Sequence, residues 1–204
     1  MDDKLNENLT PPSSDNNIFD KNHLSQKKIL EISQNKEFIQ NKKLGFNRDN
    51  IVHFPFNGSD AISQDVFISE VKKIPNVINA SSMWGSFIND VSDTNGSFDW
   101  EGKTPNHDPT IHYVHVNYEM LDMLNVEMLE GRTFDKKYGN EHEKIIFNEA
   151  GIKLMGLENP VGKTFNLWGD NFEIIGVTKD FHFESLYENI QPFFFRLIQK
   201  NDAD

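Results

Sequence analysis

The sequence predicts an α+β fold that is organised in two lobes. Segments rich in β-branched and aromatic residues alternate with shorter stretches of helical periodicity. The chain has 204 residues, of which 37% are hydrophobic and 17 are Phe, enough to bury a core. A turn-rich stretch at 84–109 interrupts this pattern, as a separate lobe would. We expect the two ends of the sequence to form one lobe and the middle to form the other.

In the first part of the chain the pattern predicts an arm, a helix and a strand–helix–strand unit. Residues 1–23 are rich in Asp, Asn, Pro and Ser, which is typical of a disordered arm or a segment foreign to the fold. A helical pattern follows over 24–45, with Gly45 as its stop. Strands are predicted at 50–56 and 76–83. The helix between them would make this unit parallel.

The second part of the chain is richer in strands. We predict strands at 110–118, 143–148 and 192–199. A short helix is expected after the first of these strands, before a turn at Gly131-Arg132. Asn148 can cap a second short helix, in which Glu149 would favour the first turn. Residues 159–181 resemble a hairpin that turns near Gly169-Asp170.

Composition excludes several classes of function. The formal net charge is −12 and the pI is near 5.0, whereas nucleic-acid binding needs a basic surface. The chain has no Cys, so disulfides, thiolate zinc sites and Cys nucleophiles are excluded. No run of about 20 apolar residues and no signal peptide is visible. We therefore expect a soluble chain, or a soluble piece of a membrane protein.

The stretch "GVTKDFHFESL" carries the most suggestive chemistry. As a strand it would place Asp180, His182 and Glu184 on one face. Phe181 and Phe183 would lie on the other face. These ligand types suit zinc, but one His and two carboxylates from a single strand make a poor tetrahedral site. The alternative is that Asp180 bonds nearby backbone N–H groups.

The other candidates for chemistry are weaker. His112 and His115 point to opposite faces of a predicted strand, so they cannot share a metal. Neither a G-x-S-x-G elbow nor a phosphate-binding G-x-x-x-x-G-K-[ST] loop is present. The long loop carries four large aromatic residues: Trp84, Phe87, Phe98 and Trp100. They would either line a groove for a partner or ligand, or pack the loop onto its lobe, and we favour the second. The residues alone therefore predict no active site and no enzyme.

Four stretches in a fixed order resemble one protein family. They are "FIQNKKLGFNRDNIV" at 38–52, "VNYEMLDMLNVEMLEGRTF" at 116–134, "IIFNEAGIKLMGLENPVGKTF" at 145–165 and "EIIGVTKDFHFESLYENIQPFFF" at 173–195. Together they resemble the periplasmic core domain of MacB/FtsX-type ABC transporter permeases, especially those of Bacteroidota. The resemblance covers roughly residues 38–198.

The resemblance implies structural roles for the residues that carry it. These are Gly131, Arg132, Asn148, Glu149, Pro160, Gly162, Gly176, Asp180, Phe181, His182, Phe183, Ser185 and Leu186. We expect Val177, Phe181 and Leu186 to pack in the core. We expect Asp180 and Ser185 to bond backbone N–H groups.

The resemblance also implies a domain plan. A membrane-proximal helix at 24–45 would lead into a Porter-like lobe, formed by 46–84 and 172–200. This lobe would contain the βαβ unit, and a smaller Sabre-like lobe at 85–171 would be inserted into it. The domain would be excised from a longer chain and lie on the periplasmic side of the inner membrane. His182 would be a structural or interface residue.

Partners and function follow from the same resemblance. The domain would contact the membrane helices of its parent permease, a permease dimer partner and a periplasmic or outer-membrane partner. It would hold no cofactor, because ATP is bound by a separate cytoplasmic subunit or domain. ATP hydrolysis there would be transmitted to this domain by mechanical movement and would drive export of a cargo. Cargoes of the family include antibiotics, antimicrobial and other peptides, toxins and lipoproteins.

Two alternatives belong to other functional classes. A secreted metal-dependent hydrolase would use Asp180, His182 and Glu184 as ligands. A sensory domain of a membrane receptor would bind its ligand in an aromatic cleft near Trp84 and Trp100.

Overall fold

A computed structural model describes Gly45, Asn47 and residues 50–55, 64–84, 91–105, 107–183 and 189–198. All of them lie in the compact unit Lys43–Asp204. The helices are α1 (Gln64–Val71), α2 (Met120–Met123) and α3 (Glu149–Met155), with a short 3-10 helix at Lys136–Tyr138. The strands are β1 (Met83–Trp84), β2 (Ser92–Thr94), β3 (Phe98–Trp100), β4 (Ile111–Val116), β5 (Met128–Gly131), β6 (Lys144–Asn148), β7 (Thr164–Leu167), β8 (Asp170–Thr178) and β9 (Phe193–Leu197).

These strands form one mixed sheet within the described residues. Its order is β1-β4-β9-β6-β8-β7-β3. Strand β2 pairs with the same edge of β4 as β1, and β5 pairs with β8 beside β7. The β4–β9 and β6–β8 pairs are parallel, and the other pairs are antiparallel. The α+β class predicted from the sequence is therefore confirmed.

The central strand β9 joins two hydrophobic cores. All five of its residues are buried, as expected for a strand that is covered on both faces. Phe193 and Phe195 pack into one core together with Val114 of β4. Phe194 points to the opposite face, where it joins Ile111 in the second core. The two-residue period of the strands thus distributes the Phe-rich sequence between both faces.

Two local predictions are confirmed in the second half of the chain. Strands β7 and β8 form the predicted hairpin, turning at Trp168 and Gly169, whose φ angles are 56° and 93°. Positive φ at both turn residues is typical of the tight turns that match strand twist. Asn148 ends β6 and caps α3, since its side chain accepts a hydrogen bond from the Gly151 N–H. The capping prediction made from the sequence is correct.

The predicted strand–helix–strand unit at 50–83 is wrong within the described residues. Helix α1 is present, but 51–55 form no strand and 76–82 pair with no strand of the sheet. Val52 is 83% exposed and Ile78 fully exposed, so the apolar residues that suggested strands are not buried in a sheet. Local sequence cannot report whether a partner strand exists.

The lobe plan stays a prediction. Strand β4 from the 85–171 segment pairs with β9 from the 172–200 segment. The predicted arm at 1–23 and the helix before Gly45 lie outside the described residues.

No helix in the described part of the chain has the length and apolar character that a membrane crossing needs.

Candidate functional site

Asn148 holds three elements together at one end of the sheet. Its Oδ1 accepts hydrogen bonds from the N–H of Gly151, at 2.9 Å, and of Phe193, at 2.8 Å. Its Nδ2 donates to the carbonyl of Gln191 at 2.9 Å. The side chain is buried, so each of these bonds satisfies a group that water does not reach. Asn148 therefore fixes β6, α3 and the start of β9 relative to one another.

Asp180 and Glu149 make reciprocal bonds across the start of α3. Asp180 Oδ1 accepts from the N–H of Ala150 at 2.9 Å, and Glu149 Oε2 accepts from the N–H of Asp180 at 3.1 Å. Burial raises the pKa of Asp180, and the nearby charge of Glu149 raises it further. The Ala150 N–H, Lys153 and His182 oppose this pKa shift without cancelling it. We call Asn148, Glu149, Asp180 and Phe181 the motif junction.

Phe181 anchors the motif junction in the core. It is 2% exposed, and its ring lies 5.1 Å from that of Phe193 and 5.4 Å from that of Phe195 between centroids. Phe183 is also buried, and its ring is 4.6 Å from that of Phe193. Val177 is buried as predicted. The structure thus places both Phe side chains of this segment in the same core, on one side as predicted.

Gly45 packs against the motif junction. Gly45 has a φ of 90°, and a Cβ placed there would lie 2.6 Å from the Phe181 Cβ and 2.8 Å from the Asp180 carbonyl oxygen. No side chain fits at this distance. Two residues later, the Asn47 N–H donates to the carbonyl of Leu124 at 2.7 Å. The entry segment, Gly45 and Asn47, therefore contacts both the segment after β8 and the end of α2.

Gly131 and Gly176 lie opposite each other where β5 pairs with β8. They are register partners, and Gly131 has a φ of 72°. A Cβ on Gly131 would overlap the carbonyl oxygen of Ile175 and lie 2.8 Å from the Gly176 Cα. A Cβ on Gly176 would lie 2.6 Å from the Arg132 carbonyl oxygen. Both positions therefore need glycine for the close approach of two backbones.

Arg132 neutralises a buried carboxylate in the loop after β5. Its guanidinium donates to both oxygens of Glu141, each at 2.7 Å, and the Asp135 N–H donates to the same carboxylate at 3.0 Å. Glu141 is fully buried. Burial alone would raise the pKa of Glu141, but Arg132 and the Asp135 N–H outweigh it, so this pKa lies below its ordinary value. Tyr138 covers the guanidinium, 3.8 Å from Cζ to the ring centroid.

Pro160 and Gly162 shape the turn that leads into β7. The Pro160 carbonyl accepts from the Lys163 N–H at 3.0 Å. Gly162 has a φ of 88°, and its N–H donates to the Ile174 carbonyl at 2.7 Å. The turn is thereby tied to β8.

The metal-site hypothesis rested on a strand that the structure does not contain. Strand β8 ends at Thr178, before Asp180, and the Asp180 carboxylate binds a backbone N–H. Glu184, Ser185 and Leu186 lie outside the described residues. Across the described ranges, no group of three His, Asp or Glu residues lies close enough to hold a metal.

His112 and His115 lie on opposite faces of β4, as predicted. The ring of His112 lies 5.3 Å from that of Phe183, and the ring of His115 lies 5.3 Å from that of Trp84. Each histidine therefore packs against a different aromatic side chain, and the two cannot share a ligand.

The aromatic residues of the long loop divide into buried and exposed members. Phe98 and Trp100 are 4% and 7% exposed and stack on Phe165, so they plug the loop onto the core and present no ring to a partner. The indole N–H of Trp100 donates to the Met155 carbonyl at 3.1 Å. Trp84 is 57% exposed and remains a candidate contact surface. Phe87 lies outside the described residues.

A buried cation in β9 was missed from the sequence. Arg196 is 4% exposed, and its Cζ lies 5.3 Å from the ring of Trp168 and 5.1 Å from that of Phe172. Tyr113 continues this aromatic group, with its ring 5.4 Å from that of Trp168. The sequence feature that could have indicated this buried cation is an Arg inside the otherwise apolar stretch "PFFFRLI".

Comparison with known proteins gives structural matches alone. The chain is similar to the extracellular domain of the noncanonic ABC-type transporter YknZ from Gram-positive bacteria, with 17% identity, a TM-score of 0.41, and coverage of 64% of this chain and 59% of that one. It is also similar to the periplasmic region of MacB from Actinobacillus actinomycetemcomitans, with 14% identity, a TM-score of 0.44, and coverage of 67% and 66%. A third match is a domain from Porphyromonas gingivalis described as part of a permease, with 20% identity, a TM-score of 0.43, and coverage of 64% and 49%.

These matches span about half to two thirds of the solved chains. No protein-family model and no curated protein sequence matches this chain. All three solved structures are domains of transporter or permease proteins.

Proposed function

We propose that this chain is the extracytoplasmic domain of an ABC-type transporter permease. In this proposal the domain lies on the periplasmic side of the inner membrane and moves with the membrane helices of its parent. A separate cytoplasmic ATPase supplies the energy, and the movement drives export of a cargo. The proposal includes a permease dimer partner and a periplasmic or outer-membrane partner.

One observation carries the proposal: the four family-like stretches of the sequence contact one another in the fold. Gly45 of the first stretch lies against Phe181 of the fourth. Gly131 of the second stretch faces Gly176 of the fourth. Asn148 of the third stretch binds Phe193 of the fourth. Each of the first three stretches therefore contacts the fourth, and together they form one framework.

The chemistry of the motif junction supports a mechanical function and not a reaction. Its polar side chains bind backbone groups: Asn148 and Asp180 both accept from the first turn of α3. A general acid or base needs a group within reach of a substrate, whereas these groups are occupied by the fold. The proposal therefore assigns no catalytic residue and no cofactor to this domain. It keeps Trp84 as the exposed aromatic residue through which a partner or cargo would be contacted.

Labelling of a single cysteine tests the location. The sequence has no Cys, so Glu101→Cys, at a side chain that is 82% exposed, would introduce one reactive thiol into this domain. In intact cells that express the full-length parent protein, a maleimide that does not enter the cytoplasm should label this thiol. Val116→Cys, at a fully buried position where Cys is close to Val in size, is the matched control and should stay unlabelled. Labelling of Glu101→Cys only after the inner membrane is opened would contradict the proposal.

Co-purification tests the partner. The tagged parent protein, solubilised from membranes after crosslinking, should carry an ATPase subunit, unless its own chain contains the ATPase domain. Absence of ATP hydrolysis from both the parent chain and its co-purified proteins would refute the transporter assignment. Elemental analysis of the same sample addresses the hydrolase alternative. One equivalent of a transition metal bound to this domain would favour that alternative instead.

A further inference from the structure

We propose that Asp180 and Phe181 couple the entry segment to the first turn of α3, so that loosening either one loosens the other. The device consists of contacts inside the domain. It does not depend on the transporter proposal, because the coupling would exist whatever the domain is attached to.

The first half of the device is the contact of Gly45 with the peptide between Asp180 and Phe181. A Cβ on Gly45 would lie 2.8 Å from both the Asp180 carbonyl oxygen and the Phe181 Cα. Backbone therefore packs on backbone here, without a flexible side chain that could absorb movement. A displacement of Gly45 toward the core must shift this peptide.

The second half of the device is the pair of hydrogen bonds from Asp180 to α3. The side chain of Asp180 accepts from Ala150, and its backbone N–H donates to Glu149. Since both bonds involve the same residue, a shift of its backbone changes both together. The first turn of α3 then loses the acceptor that satisfies the Ala150 N–H.

The position of Asp180 in the fold makes this path local. Strand β8 ends at Thr178, so the sheet ladder does not hold residues 180–183. The Lys179 N–H still donates to the Glu127 carbonyl at 2.8 Å, which fixes the segment on its N-terminal side. The Phe181 ring fixes it on the core side through Phe193. Movement at the entry segment can therefore reach α3 directly, through the side chain and the backbone N–H of Asp180.

Hydrogen exchange on the 204-residue chain tests the coupling. The Asp180→Ala variant removes the acceptor of the Ala150 N–H. The Asn47 N–H, which Asp180 does not bind, should then exchange about three- to tenfold faster, the factor expected from one hydrogen bond of ordinary strength. In the reverse test, Gly45→Ala should accelerate exchange of the Ala150 N–H by a similar factor. Amides of β6 report global opening and measure the total loss of stability. The Trp168 N–H donates to the Ser97 carbonyl in the β7–β8 turn, in a hydrogen bond that involves neither the entry segment nor α3, and should keep its rate.

Two control variants separate coupling from general damage. Asp180→Asn keeps an acceptor oxygen and should leave the Asn47 rate near that of the unmodified chain. Asp93→Ala removes an exposed carboxylate on β2 and should change neither amide. The proposal is overturned if Asp180→Ala leaves the Asn47 rate unchanged, or if it accelerates the Asn47 and Trp168 amides by one common factor. Should Gly45→Ala not fold, the two Asp180 variants decide the question alone.

Discussion

Replacing Gly131 by Ala should destabilise the domain more than any ordinary glycine substitution. The residue sits at a φ of 72°, which costs an L-residue about 1–2 kcal/mol. The new Cβ would also overlap the Ile175 carbonyl oxygen and lie 2.8 Å from the Gly176 Cα. Both atoms belong to backbone, so β5 and β8 must separate. Such overpacking costs about 1–3 kcal/mol.

The two terms together predict a loss of about 2–5 kcal/mol in the free energy of unfolding. A domain of ordinary stability has about 5–15 kcal/mol in total, so the variant would lose a large share of it. Urea denaturation followed by tryptophan fluorescence measures this change, because Trp100 is buried in the core and becomes exposed on unfolding.

Gly156→Ala is the matched control. Gly156 has a φ of 64°, but a Cβ there would meet no atom within 4 Å. This variant should lose only the conformational term, about 1–2 kcal/mol. The difference between the two variants therefore isolates the contact between β5 and β8. Equal losses for Gly131→Ala and Gly156→Ala would refute the argument that two backbones meet too closely for a side chain.

Three further predictions concern stability. Asn148→Ala should cost about 2–4 kcal/mol in urea denaturation, because two buried N–H groups and one carbonyl lose their partner. Trp100→Ala should cost about 3–5 kcal/mol, whereas Trp84→Ala, at an exposed site, should cost less than about 1 kcal/mol. Arg132→Ala should cost about 3 kcal/mol, because Glu141 would stay buried without its cation. The Arg132–Glu141 pair also predicts a pH dependence. The folded pKa of Glu141 lies below its ordinary value of 4.5, so the stability it contributes is present above about pH 4.5 and is lost as pH falls through the folded pKa.

Specific results would contradict each of these. An Asn148→Ala variant as stable as the unmodified chain would show that its three hydrogen bonds contribute nothing net. Equal losses for the two Trp variants would contradict the buried position of Trp100. For the pH dependence, Glu141→Gln keeps an acceptor but cannot titrate, so its stability should fall less between pH 5 and pH 3 than that of the unmodified chain. Parallel curves would rule out Glu141 as a source of the acid sensitivity.

Sequence predicted the features that are encoded locally. The cap at Asn148 and the hairpin turn at Gly169 depend on residues next to each other in the chain. Strands β4, β6 and β9 were predicted because their apolar runs are long and rich in β-branched and aromatic residues. The α+β class followed from these elements.

Sequence could not predict contacts between distant segments. The pairing of β5 with β8, which explains why Gly131 and Gly176 are both glycine, leaves no mark in either segment alone. The bond between Asp180 and Ala150 likewise joins residues 30 positions apart. The alternating polar pattern around Asp180 therefore left two interpretations open, a metal site on a strand or a carboxylate that bonds backbone N–H groups. The backbone had already left the sheet there, and the carboxylate binds α3.

The central place of β9 has a consequence for how the domain is made. It follows all the other described strands in sequence, yet β4 on one side and β6 on the other are joined only through it. During synthesis, two groups of strands are therefore made before they can pair in one sheet: β1, β2 and β4, and the strands around β8. Their apolar faces stay exposed until Phe193–Leu197 leaves the ribosome. Long-range parallel pairing of this kind closes slowly. The nascent domain is therefore most exposed to aggregation and to chaperone binding just before β9 becomes available.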